Sequence, residues 1–447
     1  MDESMNEPRP ITVPEAMDMA LQCLKNGRFE DGEVLCLKIL EVAPDHPDAT
    51  HYAGVLAHEN GRGEQALALI RRSLELAPDR PDWHSNLGVV LQERGELDAA
   101  TAAYRRAIEL RPAHANAHGN LGVLLRAQGK LADAESAYRH AIEIDPRHAD
   151  AHYNLAVLLS ATNRTSEAVG CLRRALTLKP RYPQARQELA RAYCRLGQRD
   201  KAVVVCEQWL RDDPESPVAR HTLAACSGRD VPPRASDEYV REIFDGFASS
   251  FEAKLTKLSY RAPMLVAGAL AASGLRADRA LDVLDAGCGT GLCGPLIAKY
   301  ARRLVGVDLS AGMLNHARRK GVYGELVQTE LTAYLEQHHE RFDVIVTADT
   351  LVYFGGLESV TRAAAGALRP GGVLVFTVEE ANEPGQAGSY ALQPHGRYTH
   401  GAEYVERLLL EAGLRPHIER GDLRLESGVP VAGLIVSAAK PPRRARI

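Results

Sequence analysis

The 447-residue sequence contains no apolar run approaching the roughly 18 residues that a membrane span requires. Its opening stretch, MDESMNEPRPITVPE, is acidic and proline-containing, without the basic start and apolar core of a secretory signal. A cytoplasmic location with no membrane partner is therefore expected. Cysteine is sparse: the eight present show no zinc-ligand spacing and no disulfide framework, so no metal site is expected. Most of them fall in apolar helical stretches where a small side chain packs well. A formal net charge of −4 offers no general attraction to nucleic acid. The C-terminal Arg443, Arg444 and Arg446 read as a solvated basic end.

What the sequence does have is a comb of prolines. Pro44, Pro78, Pro112, Pro146, Pro180 and Pro214 stand 34 residues apart, the length of two helices and two turns. A turn-forming column, Gly27, Gly61, Gly95, Gly129, Asn163 and Gly197, keeps the same step. One unit carries Leu87, Gly88, Leu91, Gly95, Ala100, Tyr104, Ala107 and Pro112. The next answers with Leu121, Gly122, Leu125, Gly129, Ala134, Tyr138, Ala141 and Pro146. Small residues let two helices approach, large ones fill the gap to the next hairpin, and proline ends the second helix. This pattern resembles the tetratricopeptide repeat (TPR). It implies an all-α solenoid over residues 13–227, with six repeats starting near Val13, Pro47, Pro81, Ala115, Ala149 and Pro183, plus a capping helix over Val218–Cys226.

Two polar columns run along these repeats. Asn86, Asn120 and Asn154 resemble the inward-facing asparagines with which several such solenoids hold an extended peptide. A carboxamide offers both a donor and an acceptor for that task. Set against this is a plain role in satisfying helix ends and turns. His84, His118 and His152 are candidates for the same groove, too far apart to hold one ion. His46, His114 and His148 occupy the turns between repeats.

Gly228–Ser236 breaks the periodicity with glycine and paired prolines and reads as a linker. Phe244, Phe247 and Phe251 follow, three of only seven phenylalanines, on one side of a helical lead-in that could fold over a ligand. From Ala280 onward, apolar strands alternate with helical stretches, which argues a parallel sheet with helices on both faces. The first strand ends in LDAGCGTG, the second at Asp308, and LRPGG precedes a late strand. A glycine loop alone is shared with dinucleotide-binding folds. Here, however, Asp285 precedes the glycines, where a pyrophosphate would be repelled, and Asp308 is placed to accept from ribose hydroxyls.

Together these features resemble the class I S-adenosylmethionine-dependent methyltransferases, a Rossmann-like α/β domain, over residues 237–440. The resemblance implies S-adenosylmethionine as cofactor. Asp285 would face its methionine amino group, and Gly287, Gly289 and Gly291 would permit close backbone approach. Asp308 would hold the ribose; Leu309 and Met313 would contact the adenine. Glu330, with Leu331, is the nearest candidate for the adenine amino group, in a position where aspartate is usual. The order of the two halves resembles a bacterial group of fused TPR methyltransferases.

The acceptor is less defined. The fourth strand ends in ADTLVYF, placing Tyr353 among candidate acceptor contacts, with none of the motifs of base methylation. The segment Ser389–His400 concentrates Tyr398, His395, His400 and Arg397. A histidine there could act as base, and Arg397 could hold a carboxylate or phosphate, unless the segment is an ordinary surface turn. The leading expectation is methylation of a protein or peptide captured by the repeats. The alternatives are a small-molecule methyltransferase that uses its repeats for docking, and a non-catalytic scaffold.

Overall fold

A computed structural model describes residues 11–246, 248, 251–381, 389–426 and 428–443. Phe247, Arg444 and Arg446 lie outside them. No helix among the described residues is long and apolar enough to cross a membrane. The chain divides into two compact units, one up to Tyr182 and one from Pro183 onward.

The first unit holds five helical hairpins. They are α1 (Val13–Lys25) with α2 (Phe29–Val42), α3 (Pro47–Glu59) with α4 (Gly63–Leu76), and α5 (Pro81–Glu93) with α6 (Leu97–Leu110). Then come α7 (Ala115–Ala127) with α8 (Leu131–Ile144), and α9 (Ala149–Ala161) with α10 (Thr165–Leu178). Gly27, Gly61, Gly95, Gly129 and even Asn163 adopt positive φ, 61–80°, at the turn inside each hairpin. That left-handed geometry explains the turn-forming column. Each comb proline lies two residues beyond the end of a second helix and forces the residue before it out of helical conformation. Within a hairpin the packing is close: a Cβ on Gly88 would stand 2.4 Å from the Tyr104 ring, and one on Gly122 2.7 Å from that of Tyr138.

The second unit opens with the last repeat, α11 (Pro183–Arg195) and α12 (Arg199–Asp212), and its capping helix α13 (Pro217–Ser227). Repeat periodicity thus runs on to the capping helix, while the packing boundary falls earlier, at Pro183. Trp209 shows why. It is 2% exposed and shares one cluster with Val218, Ala219, Ala235 and Tyr239. Truncating such a residue costs on the order of 3–5 kcal/mol. The stretch expected as a linker is likewise tied down. Ala235 N–H donates to Tyr353 O at 2.8 Å, and Gly355 and Gly356 N–H both donate to Pro233 O at 2.8 Å.

Three helices lead in: α14 (Asp237–Asp245), α15 (Phe251–Lys257) and α16 (Ala262–Ala272). The sheet follows, with β1 (Leu281–Ala286), α17 (Gly294–Ile297), β2 (Ala301–Asp308), α18 (Ala311–Arg319), β3 (Glu325–Gln328) and α19 (Leu331–Glu336). After β4 (Phe342–Thr347) come a 3-10 turn (Leu351–Tyr353), α20 (Glu358–Ala367) and β5 (Leu368–Glu380). The chain then forms β6 (Tyr390–Leu392), β7 (Tyr398–His400), α21 (Ala402–Glu411), β8 (Arg415–Glu426) and β9 (Val429–Ala439). Strands β3-β2-β1-β4-β5 are parallel. Antiparallel β9 pairs with β5 and with β8, and the β6–β7 hairpin joins the end of β5 through β7. The four expected strands are all present, and the segment Ser389–His400 forms this short hairpin. Buried apolar runs such as Val283–Leu284 and Val344–Val346 mark strands covered on both faces. Chain direction across the sheet reverses between β1 and β4, opening a crevice beyond their carboxyl ends.

Candidate active site

The turn after β1 is built by backbone geometry. Gly287, Gly289 and Gly291 have φ of 71°, 54° and 82°. A Cβ on Gly287 would stand 2.2 Å from Thr350 Oγ1, and one on Gly291 2.9 Å from the Tyr323 ring. At Gly289 a Cβ would meet nothing within 4 Å, so that face of the turn is open. Gly287 and Cys288 N–H donate to Val307 O, and Gly289 N–H donates to Asp308 Oδ2 at 2.9 Å. Ser310 N–H donates to Asp308 Oδ1 at 2.9 Å.

Beyond these strand ends lies an open cavity, about 970 Å³ when the solvent in its mouth is counted. Asp285, Gly287, Gly289 and Asp308 line it, as do Leu309, Met313, Glu330 and Leu331. Gly291 does not; it supports the turn from behind. Asp285 is 1% exposed and accepts from the Tyr323 hydroxyl at 2.5 Å. Burial pushes its carboxyl up to about 7, against the pull of Tyr323. Burial also raises Asp308, opposed by the amides that bond it. Glu330 caps α19, its two oxygens accepting from Thr332 and Ala333 N–H at 3.0 and 2.8 Å. Both of its oxygens are thus already engaged by the helix end.

Aromatic side chains continue the wall. Phe244 from α14 and Phe251 from α15 pack edge to face with centroids 6.0 Å apart, and Phe244 meets Tyr353 at 5.4 Å. Tyr260 and Phe354 also line the cavity. Asp245 anchors the end of α14 to α18 by accepting from Ser310 Oγ and from Gly312 N–H.

Asp349, just past β4, lines the same cavity and was not singled out from the sequence. Its signal was available: an acid at the carboxyl end of a strand flanking the switch point. Arg424 Nη1 donates to Asp349 Oδ2 at 2.7 Å, and the same guanidinium bonds Glu379 and Glu426. Nothing local marked Arg424, which lies in β8.

The segment Ser389–His400 corrects several expectations. None of His395, Tyr398 and His400 lines the cavity. Tyr398 is fully buried and donates to Pro232 O at 2.7 Å. His400 is fully buried too, its Nε2 shared between Phe354 O at 2.8 Å and Gly355 O at 3.2 Å. Burial lowers both His395 and His400 to about 4, which leaves them poor bases. Arg397 is committed to Glu379, at 2.5 Å, and to Glu426, so it is not a free anion clamp. These residues fasten the hairpin instead. Arg191 of α11 donates to His395 O at 3.2 Å, and His221 of α13 bonds Gly396 O at 2.9 Å.

Within the first unit, Asn86, Asn120 and Asn154 occupy equivalent half-buried places on α5, α7 and α9. Asn86 bonds His51 at 3.0 Å, whereas Asn120 and Asn154 make no side-chain hydrogen bond among the described residues. The histidine columns are structural. His84, His118 and His152 reach the carbonyls of Pro78, Pro112 and Pro146 at 2.7, 3.0 and 3.2 Å. His46, His114 and His148 cap the next helix.

Comparison with known proteins agrees with both halves. Residues 283–372 match a family model described as a methyltransferase domain. Residues 24–88, 79–147, 114–181 and 168–226 match tetratricopeptide-repeat models. The ubiquinone biosynthesis O-methyltransferase of Klebsiella pneumoniae is 29% identical over 131 residues, 28% of this chain and 50% of that protein. The trans-aconitate 2-methyltransferase of Paracidovorax citrulli is 36% identical over 103 residues, 23% of this chain and 40% of that one. The chain thus spans about half the length of the curated relatives it matches, or less. The solved Pseudomonas aeruginosa pilF structure covers 47% of this chain and 96% of its own, with 20% identity and a TM-score of 0.42.

Proposed function

This chain joins tetratricopeptide repeats to a class I S-adenosylmethionine-dependent methyltransferase domain, and from that premise we propose that it methylates a small acceptor with an aromatic or apolar body. The repeats then dock the enzyme on a protein partner. One observation carries this reading: the carboxylates Asp285 and Asp308 and the rings of Phe244, Phe251 and Tyr353 line one and the same cavity.

The residues present suit the methyl donor. Asp285 is a buried acid with a single hydrogen-bond donor, and a cationic ammonium beside it would offset the cost of its burial. Asp308 accepts from backbone amides, those of Gly289 and Ser310 among them, and a carboxylate with about four lone-pair sites has room left for a ribose hydroxyl. The open side of Gly289 leaves room for a ligand against the backbone. When bound, S-adenosylmethionine supplies an electrophilic methyl group. The protein's task is to align the acceptor and exclude water, and the aromatic wall serves both.

A second reading, methylation of a protein or peptide held by the repeats, is favoured by the free carboxamides of Asn120 and Asn154. One experiment separates the two. Purified protein and methyl-labelled S-adenosylmethionine are added to host extract, with the Asp308→Ala variant as control. Label in the small-molecule fraction, absent from the control, is the expected result. A labelled polypeptide that the control lacks would favour the second reading. Absence of label from both fractions would overturn methyl transfer itself.

A further inference from the structure

We propose that Asp349 contacts the methyl acceptor and takes the proton from its hydroxyl or amine, in a pocket that selects neutral or cationic acceptors over carboxylates and phosphates. This rests on the methyl-transfer reading above and specifies its acceptor class.

Position comes first. Asp349 lies past the carboxyl end of β4, next to β1 at the switch point, and lines the cavity that Asp285 and Asp308 also line. Its side chain is 14% exposed, so it is desolvated yet reachable. Its backbone has φ of 53°, a left-handed conformation unusual for a residue with a Cβ. Several bonds hold it there. Asp349 N–H donates to Thr377 Oγ1 at 2.9 Å, the Thr377 hydroxyl donates back to Oδ1 at 3.1 Å, and Arg424 grips Oδ2. A conformation fixed this heavily at a cavity wall is a feature of functional positions.

The charge inventory sets the acceptor class. Asp285, Asp308, Glu330 and Asp349 line the cavity, and among the described residues Arg234 is the one basic side chain that joins them. Arg234 is paired with Asp237 at 2.6 Å. Behind Asp349, Arg424 and Arg397 are shared among Asp349, Glu379 and Glu426. Among the described residues, an anionic acceptor would find no uncommitted basic side chain there, and a desolvated like charge is strongly disfavoured. A neutral or cationic group bearing an O–H or N–H finds a carboxylate.

The groups facing Asp349 are Arg424, Thr377, Glu379 and Arg397, with Tyr260 and Cys293 on the cavity side. Burial raises its pKa first. Arg424 pulls it down and Glu379 pushes it up, and the balance stays above the ordinary carboxylate range. That direction suits a proton acceptor. As the acceptor oxygen or nitrogen bonds the methyl carbon, the carbon–sulfur bond breaks with its electron pair left on sulfur. The acceptor proton passes to Asp349 and then to solvent.

Two measurements on the full chain test this. The labelled product is treated with mild alkali, which releases methanol from methyl esters and leaves ethers and methylamines intact. Label that stays in the product is expected; volatile label would mean a carboxylate acceptor and would overturn the inference alone. Absence of any labelled product would instead remove the methyl-transfer reading. Second, Asp349→Asn keeps the shape, and asparagine tolerates the left-handed backbone. Transfer should fall about 100-fold or more, with S-adenosylmethionine affinity by calorimetry unchanged. The rise of rate with pH in the wild type should be missing from the variant. An undiminished rate would overturn the proton-accepting role. Parallel loss of cofactor affinity would assign Asp349 to the fold instead.

Discussion

The Tyr323 hydroxyl donates to Asp285 Oδ2 at 2.5 Å, the one side-chain hydrogen bond among the described residues on a carboxyl that burial has pushed up to about 7. Near neutrality, Asp285 of the free protein is therefore partly protonated. A ligand ammonium seated beside it favours the ionised form, so binding must expel that proton. Calorimetry of S-adenosylmethionine binding at pH 6, in buffers of different ionisation enthalpy, should show proton release that shrinks as pH rises through about 7. Tyr323→Phe removes the donor that favours ionisation and should move this release to higher pH. Asp285→Asn should abolish it.

Arg397 offers a test of a corrected expectation. If it gripped the acceptor, Arg397→Ala would raise KM and leave the fold intact. Its guanidinium instead pairs with Glu379, which is 3% exposed, and with Glu426. Removing one partner of a buried ion pair leaves an uncompensated charge, at a cost on the order of 3 kcal/mol. Arg424 still contacts Glu379, which limits the damage. A clear fall in the urea midpoint is expected, whatever the assay shows.

The difference between what was legible and what was not follows from range. The proline comb and the left-handed turn column are local features. They placed each repeat start, Val13 through Pro183, at the first residue of a helix. The carboxylates Asp285 and Asp308 were legible because Asp285 stands just before the glycine turn near the end of β1 and Asp308 closes β2. The hairpin of Tyr398 and His400 misled because its composition suits catalysis while its burial depends on Phe354, Gly355 and Pro232, far away in sequence. Asp349 and Arg424 are 75 residues apart, and no periodicity links them. The packing of Trp209 against Tyr239 likewise crosses the composition break at Gly228–Ser236.

Gly88 and Tyr104 should behave as a coupled pair. A Cβ on Gly88 stands 2.4 Å from the ring, so Gly88→Ala should cost about 1–3 kcal/mol by overpacking. Two repeats later the same columns carry Ala156 and Leu172, both fully buried. That natural combination predicts rescue: the double variant Gly88→Ala, Tyr104→Leu should lose less stability than the sum of the two single changes. Thermal unfolding of the four proteins gives the coupling directly. Simple addition of the two losses would mean that the columns vary independently.

The asparagine column separates binding from folding. Asn86 bonds His51, whose ring stacks on Trp83 with centroids 4.5 Å apart, so Asn86→Ala should cost about 1 kcal/mol of stability. Asn120 and Asn154 give the fold no side-chain hydrogen bond among the described residues. Replacing both with alanine should therefore shift the unfolding midpoint by no more than about 0.5 kcal/mol. If the column grips a partner's backbone, the same double variant should lose that partner in a pull-down from host extract while cofactor affinity stays constant. Undiminished capture at unchanged stability would remove the column from recognition and leave the repeats to bind through another face.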